Sequence, residues 1–328
     1  MHNRETTLRT LSMLKTAMGP LIANALTDPS VIEIMVNPDG RLWIERHGEG
    51  RTQASSGLSA EQAERVVRLV ASHLGREANS SQPIVSAELP GGGERFEGVL
   101  PPVSQRPCFS IRKAAARVFT LDDYVDAGIL SRAGALALRQ AVQSKLNIMI
   151  VGGTSSGKTT LANALLHEIA DLGDRVVILE DTRELQCAAP DHVALRTQAG
   201  SVSLSDLVRS TLRLRPDRII IGEVRGPEAL DLLKAWNTGH PGGIATIHAN
   251  SALGGLHRLE QLIGEKSLRI PDVLIAEAVD LVVFISGRNA ARKVETIAQL
   301  RGHDGEDYVL SDFAPQGPKL IQLNGDTA

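Results

Sequence analysis

Glycines, hydroxyl residues and one lysine stand together near the middle of the chain. Residues 152–160 read GGTSSGKTT; they follow a short apolar run at 146–151 and precede a stretch with helical character. Gly152, Gly153 and Gly157 allow the backbone to curl so that several N–H groups point at one anion. A strand, a glycine-rich loop and a helix in this order predict a phosphate-binding loop.

The residue types in this loop have defined uses in such a site. A helix starting at Lys158 adds unpaired N–H groups and the positive end of its dipole. Lys158 supplies a cation for the terminal phosphates, and the Thr159 hydroxyl is suited to bind Mg²⁺. The expected nucleotide-binding residues are Gly152, Gly153, Thr154, Ser155, Ser156, Gly157, Lys158, Thr159 and Thr160.

Carboxylates follow two of the predicted strands. Residues 180–184 (EDTRE) come after the apolar run 175–179, and Glu223 follows the run 218–221 and a glycine. Open α/β sheets bind ligands at the carboxyl ends of their strands, and hydrolysis of a phosphoanhydride needs a carboxylate to orient water. Glu223 is therefore expected to hold Mg²⁺, directly or through water. A charged surface loop and a core strand with an exposed final glutamate are the alternatives.

Two histidines bracket the predicted strand 244–247. His240 lies in the loop before it (TGHPGG), and His248 and Asn250 follow it. We expect both histidines to point to the same rim of the sheet, where His248 could meet the terminal phosphate. The alternative is that each histidine is a structural or surface residue.

The order of predicted helices and strands changes near residue 146. After it, strands alternate with helices, which predicts a largely parallel sheet with helices on both faces. Before it, a helical pattern at 8–26 and paired strand-like segments indicate an α+β unit. A second amphipathic helix is expected at 59–74, with Ser59 and Gln62 as a capping box.

These patterns divide the chain into parts. We expect an α+β N-terminal domain at 1–115, a linker at 116–133 and an α/β domain at 134–328. The 328 residues are enough for two domains.

Composition excludes several classes of protein. A net charge of −3 and 3% aromatic residues argue against a DNA-binding surface or a stacking platform. Cys108 and Cys187 are far apart and form no metal-ligand spacing, which favours a reducing cytoplasm. No apolar run approaches the length of a membrane span.

Four segments together resemble the motifs of the secretion (traffic) ATPases. GGTSSGKTT, LEDTREL, RPDRIIIGEVRG and TGHPGGIATIHAN are similar to that superfamily's Walker A, Asp box, Walker B and His box, in the same order. IEIMVNPDGRLWIE, GERFEGVLPPVS and SIRK are similar to its N-terminal domain. The similarity extends from about residue 30 to residue 285. EDTRELQC and EALDLLKAWNTGHPGG favour the conjugal-transfer (TrbB-type) branch of type IV secretion.

This resemblance implies a fold, an activity and partners. The fold is α/β, with a RecA-like P-loop NTPase C-terminal domain and a smaller α+β N-terminal domain. The cofactors are ATP and Mg²⁺, and turnover moves the two domains of each subunit in a homohexamer. The ring would be cytoplasmic, peripherally associated with the inner membrane and its conjugation components, with no direct specific DNA binding expected.

The resemblance also assigns roles to residues. Lys158 and Thr159 bind phosphate and Mg²⁺, Glu223 supports Mg²⁺, and His248 senses the terminal phosphate. Glu184, in the Asp box, orients the attacking water. Arginines of the N-terminal domain reach the nucleotide and stabilise charge on the phosphates; surface salt-bridging is their alternative role. These arginines are Arg95, Arg112 and, as a weaker candidate, Arg106.

Rival functions remain at this point. The chain lacks the four-cysteine zinc module of type II secretion and pilus-extension relatives, and the C-terminal arginine motif of pilus-retraction relatives. Both absences favour conjugation over a type IV pilus or type II secretion motor. A RecA-like nucleic-acid motor would use the same core chemistry. A nucleotide-gated scaffold without hydrolysis is the third possibility, which the intact carboxylates disfavour.

Overall fold

The structure, a computed structural model, describes residues 2–113, 118–198, 200–265, 267, 272–288 and 291–313, with side chains from residue 9 onwards. The chain forms two compact units. The first comprises Met1–Arg117 and Thr182–Glu184, and the second comprises Val118–Asp181 and Leu185–Ala328.

The first unit is an antiparallel sheet packed against two helices. Its strands are ordered β3-β2-β1-β6-β5-β4. Leu14, Met18 and Ile22 of the first helix and Val66 and Val67 of the second pack in one apolar cluster with the sheet. The elements are α1 (His2–Thr27), β1 (Val31–Val36), β2 (Leu42–Arg46), β3 (Gly50–Gln53), α2 (Ala60–His73), β4 (Ile84–Glu88), β5 (Arg95–Val99) and β6 (Cys108–Arg112).

Local sequence explains how both helices are shaped. Within α1, Gly19 adopts a positive φ of 75° and Pro20 follows it, which kinks the helix because proline has no N–H to donate. The predicted capping box of α2 is confirmed: the Ser59 side chain accepts the Gln62 N–H, and the Gln62 side chain accepts the Ser59 N–H.

The second unit alternates strands and helices as expected. Its first half contains α3 (Leu121–Asp126), α4 (Arg132–Gln143), β7 (Ile148–Val151), α5 (Lys158–Ile169), β8 (Val176–Glu180), β9 (His192–Arg196), α6 (Leu204–Thr211) and β10 (Arg218–Val224). Its second half contains α7 (Glu228–Asn237), β11 (Ile244–Ile247), α8 (Ala252–Gly264), α9 (Asp272–Ala278), β12 (Leu281–Ser286), β13 (Lys293–His303) and β14 (Tyr308–Asp312).

The sheet of the second unit has the order β14-β13-β12-β7-β11-β10-β8-β9. The six strands from β12 to β9 run parallel, and β13 and β14 extend the sheet in antiparallel pairing. Strand β7 therefore lies between β12 and β11, with β10 as the next strand along.

Alternate residues of the parallel strands face two separate apolar clusters. Met149 and Val151 of β7 pack in a cluster with residues of α6, α7, α8 and α9. Ile148 and Ile150 pack in a second cluster with residues of α3, α4 and α5. Both faces of the sheet are covered, which is why β7 is apolar throughout rather than alternating.

Among the described residues, no helix combines the length and the apolar character that crossing a bilayer requires.

Candidate active site

The phosphate loop joins the buried strand β7 to helix α5, at the carboxyl edge of the parallel strands. Ser155 and Gly157 adopt positive φ values of 63° and 98°, which turn the backbone sharply before the helix begins. A Cβ on Gly152 would lie 2.4 Å from the Ile285 carbonyl oxygen and 2.6 Å from the Ser156 Oγ, so no larger residue fits there. The loop is therefore a tightly wound backbone turn at a helix N-terminus, the geometry that binds phosphate groups.

The loop side chains differ in their surroundings. Thr154 and Ser155 are exposed, whereas Thr159 and Thr160 on the first turn of α5 are half-buried. The Ser156 Oγ is buried and has no hydrogen-bond partner among the described residues. A buried hydroxyl without a partner is costly, and a phosphate oxygen would supply the missing bond.

Lys158 is buried and points back over the loop. Its Nζ donates to the Gly153 carbonyl at 3.1 Å and lies 3.2 Å from the His248 Nδ1. The ammonium group is thus held at the loop by two neutral acceptors.

His248 follows β11 and joins Lys158 to Glu223. Its Nε2 is 2.9 Å from the Glu223 Oε1. Burial and the Lys158 charge lower the pKa of His248, with Glu223 opposing them, so the ring is neutral near pH 7. A neutral ring with its proton on Nε2 donates to Glu223 and accepts from Lys158 at Nδ1, which satisfies both contacts.

Glu223 lies near the end of β10 and is ionised. Burial raises its pKa, but the hydrogen bond from Arg225 and the charges of Arg225 and Lys158 outweigh it, and the net pKa is lowered. The Arg225 Nη2 donates to the Glu223 Oε2 at 2.8 Å, and Nη1 lies 3.8 Å from Asp181. The sequence analysis assigned Arg225 no role; its position two residues after Glu223, directly after β10, was the available signal.

The glycine before Glu223, an unusual residue at this place, has a steric reason. A Cβ on Gly222 would approach the Glu180 Cγ to 3.1 Å. Glu180, at the end of the neighbouring β8, is 4% exposed, and its Oε1 accepts the Leu185 N–H at 2.8 Å. The Gly222 carbonyl in turn accepts from the Thr246 Oγ1 at 2.7 Å. Gly222 thus leaves room for the buried carboxylate of Glu180 at this edge.

One expectation about the histidines is wrong. His240 lies before β11, at the amino edge of the parallel strands, and its Nδ1 is 3.3 Å from the Ala235 carbonyl at the end of α7. His248 lies beyond the opposite end of β11, because a strand separates them. Only His248 belongs to the site.

The remaining predicted site residues belong to the first unit. Arg95 and Arg112 are paired neighbours on β5 and β6. Glu184 is grouped with this unit, and its Oε1 is 4.0 Å from the Arg95 Nη1. Arg106 lies exposed in the turn before β6. The structure thus brings together Lys158, His248 and Glu223 in the second unit, and Arg95, Arg112 and Glu184 in the first.

Comparison with known proteins gives a consistent result. The model of the family "Type II/IV secretion system protein" matches residues 16–297. The chain is 52% identical to the probable conjugal transfer protein TrbB of Sinorhizobium fredii over 307 residues, covering 93% of this chain and 94% of that protein. It is 49% identical to the conjugal transfer protein TrbB of Rhizobium radiobacter over 308 residues, covering 93% and 95%.

A solved structure shares the fold. The pilus retraction motor PilT, crystallised with ADP, superposes with a TM-score of 0.59 at 17% identity, over 91% of this chain and 83% of that one. The predicted architecture, a RecA-like P-loop NTPase C-terminal domain with a smaller α+β N-terminal domain, is thereby confirmed. The loop before α5 and the His248–Glu223 pair agree with the family match over residues 16–297. The chain belongs to the type II/IV secretion system protein family, in its TrbB-like conjugal-transfer branch.

Proposed function

We propose that the chain is a Mg²⁺-dependent ATPase that powers conjugative type IV secretion and pilus biogenesis. The observation that carries the proposal is the contact chain from Lys158 through His248 to Glu223 beside the phosphate loop. It joins a lysine, a neutral imidazole and an ionised carboxylate at one sheet edge, where the lysine would bind phosphate and the carboxylate would support Mg²⁺ in phosphoryl transfer. The TrbB relatives, which share about half of their residues with this chain, support the conjugative role.

The residues at the loop fit a Mg²⁺-nucleotide. The backbone of residues 152–157 and Lys158 would bind the phosphates, and the unpartnered Ser156 Oγ is a further donor there. Thr159 and Glu223 would hold Mg²⁺, which, when bound, neutralises charge on the phosphate oxygens. Glu223 is already ionised and so is ready to act as a ligand or an acceptor.

His248 would report the state of the terminal phosphate. Its ring contacts both the phosphate-binding lysine and the carboxylate, so a ligand that draws Lys158 towards its phosphates breaks or redirects the contact with Nδ1. With a side chain 40% exposed, His248 can then turn its ring to the ligand. The proposed sensing role of His248 rests on its contacts with two charged groups, Lys158 and Glu223.

Glu184 is our choice for the residue that orients the attacking water, and Arg95 and Arg112 for cations that reach the nucleotide during the catalytic cycle. All three belong to the first unit, so they would act through motion of the two domains. We further propose a homohexamer, cytoplasmic and peripherally attached to inner-membrane components of the conjugation apparatus. Direct specific DNA binding is not expected from the acidic balance of the chain.

The first test is the rate of Mg²⁺-ATP hydrolysis per subunit, measured over a range of protein concentrations with and without single-stranded DNA. A rate that rises cooperatively with concentration and ignores DNA supports a ring in which assembly completes the sites. A rate that is independent of concentration and increased by DNA would favour a RecA-like nucleic-acid motor instead.

Removing the lysine tests the loop itself. Lys158→Ala is expected to abolish hydrolysis, because the cation that would bind the terminal phosphates is lost, and to change the thermal midpoint of the protein without nucleotide by no more than a few degrees. Lys234→Ala, at an exposed position on α7, is the matched control and should hydrolyse ATP normally. Wild-type turnover in Lys158→Ala would exclude the assignment.

Two glutamate variants test the choice of the water-orienting residue. Glu184→Gln should bind ATP with unchanged affinity and hydrolyse it at least a hundredfold more slowly, since the amide cannot accept a proton from water. Glu180→Gln is the comparison, because Glu180 is buried at the same sheet edge and accepts the Leu185 N–H. Loss of hydrolysis in Glu180→Gln together with normal hydrolysis in Glu184→Gln would overturn the assignment of Glu184 as the water-orienting residue.

A further inference from the structure

A second cation lies against the phosphate loop, on the side away from His248. Arg292 is the residue just before β13 begins. A Cβ on Gly157 would lie 2.8 Å from the Arg292 Nε and 3.1 Å from its Cζ. The guanidinium group is thus packed on the residue that precedes Lys158.

Among the described residues, no side chain balances the charge of Arg292 through an ion pair. Its Nε is buried and has no hydrogen-bond partner among the described residues. None of the carboxylates in the described ranges forms an ion pair with it. The nearby Tyr124 offers no anion: burial raises the pKa of its phenol, with the Arg292 charge opposing, and its hydroxyl is also buried with no partner among the described residues.

The order of strands shows how Arg292 relates to the rest of the site. Strand β7, which leads into the loop, has β12 on one side and β11 on the other. His248 and Glu223 approach the loop from the β11 and β10 side. Arg292 approaches from the β12 side. The loop is therefore flanked on both sides by groups that can interact with bound phosphates.

A partly buried cation beside a lysine and a helix N-terminus raises the positive potential of the loop, and without a counterion this is unfavourable. An anion seated in the loop would relieve it. We propose that Arg292 is a further nucleotide-binding residue, which donates to phosphate oxygens of the nucleoside polyphosphate held by residues 152–160. This inference rests on the proposed function, because it needs a nucleotide at that loop.

The test measures dissociation constants of Mg²⁺-ATP, Mg²⁺-ADP and inorganic tripolyphosphate by calorimetry, for wild type and Arg292→Gln. Loss of a charge-assisted hydrogen bond should weaken all three ligands by about ten- to a hundredfold. Arg292→Lys should recover part of that loss, since it keeps the charge but not the planar fork. Arg288→Gln, at an exposed position between β12 and β13, is the control and should bind normally.

Thermal unfolding separates binding from a structural role. If Arg292 lacks a counterion in the protein without ligand, Arg292→Gln should keep or raise the thermal midpoint there. The increase that saturating Mg²⁺-ATP produces should become smaller in the same variant, because binding to the folded state sets that increase. A lower midpoint without ligand, together with an unchanged increase on adding ATP, would show a packing role and overturn the inference.

Other outcomes are equally decisive. Unchanged dissociation constants in Arg292→Gln overturn the inference and leave the ATPase proposal intact. Weaker nucleotide binding with unchanged tripolyphosphate binding would mean that Arg292 contacts the nucleoside, against our assignment. Wild-type protein that binds ATP through Arg292 but does not hydrolyse it would refute the proposed function alone, and wild-type protein that binds neither ATP nor tripolyphosphate would refute both.

Discussion

Buried charged and polar groups are hydrogen-bonded differently at the two edges of the parallel sheet in the second unit. At the amino edge, Arg218 is 1% exposed and donates to Asp174 at 2.6 Å, to Val142 O at 2.9 Å and to Gly242 O at 3.3 Å. At the carboxyl edge, the Ser156 Oγ and the Arg292 Nε are buried without partners among the described residues. Both edges bury polar groups, but the Ser156 Oγ and the Arg292 Nε at the carboxyl edge lack the partners among the described residues that Arg218 has at the amino edge.

The difference separates stability from ligand binding. A buried ion pair whose hydrogen bonds are all made fixes the fold and leaves little for a ligand to gain. Groups buried without partners cost free energy until something binds them. The carboxyl edge of a parallel sheet, where strands end in loops and a helix begins, is also the place where α/β proteins bind ligands. The comparison can be tested by changing one group at a time on each edge.

The largest effect on stability is expected at the amino edge. Arg218→Ala leaves Asp174 buried without its closest partner, which should lower the free energy of unfolding by about 3–5 kcal/mol. Lys145→Ala removes the exposed partner of the same carboxylate, 2.7 Å away, and should cost less than about 1 kcal/mol. Urea unfolding of both variants measures the difference. Equal losses of unfolding free energy in the two variants would mean that burial of the cation does not control how much its ion pair with Asp174 stabilises the fold.

An intermediate effect is expected from pH at the carboxyl edge. The lowered pKa of His248 means that the unfolded chain takes up this proton before the folded chain does. The contribution of the neutral ring to stability is therefore complete above the ordinary histidine pKa of about 6.5 and is lost as the pH falls below it. Protonation would also place a third cation beside Lys158 and Arg225, so hydrolysis should decline over the same range.

The control for this pH dependence is His248→Asn, because other histidines and carboxylates of the chain titrate as well. The difference between the thermal midpoints of wild type and His248→Asn should shrink as the pH is lowered from 7.5 to about 5.5. A difference that stays constant over this range would contradict the lowered pKa.

The smallest effect on stability is expected at Ser156. Ser156→Ala removes a buried hydroxyl that has no partner, so the free energy of unfolding should stay constant or rise by up to about 1 kcal/mol. The same change should weaken nucleotide binding a few-fold, since a donor to the phosphates is lost. Ser210→Ala, at an exposed position on α6, should alter neither quantity. A marked loss of stability in Ser156→Ala would show that its hydroxyl has a structural partner.

Much of the fold could be predicted because the local signals agree with one another. The apolar run before the phosphate loop, the three other strands singled out by pattern (175–179, 218–221 and 244–247) and the Ser59–Gln62 capping box all appear where expected. The edge strand β9 (His192–Arg196) was missed, since its pattern is short and half-exposed. The helix α8 was also not singled out, although Ser251 caps its first turn.

The site was only partly predictable for a different reason. Lys158, Glu223 and His248 stand at recognisable places after strands or before a helix, so their types and order suggested a common edge. Arg292 carries no such signal, because its position against Gly157 depends on the pairing of β12 with β7. Arg225 and the fit of Glu180 against Gly222 likewise depend on strand order.

The sequence by itself determined the glycine-rich loop before α5, the alternation that builds a parallel sheet and the residues at the ends of its strands, since these follow from local conformational preference and spacing. Only the tertiary structure decided which charged groups meet. It paired Arg218 with Asp174 across 44 residues, placed His240 and His248 at opposite edges and brought Arg292 onto Gly157. Such contacts join distant parts of the chain. They depend on the order of strands in the sheet, and no local sequence pattern determines that order.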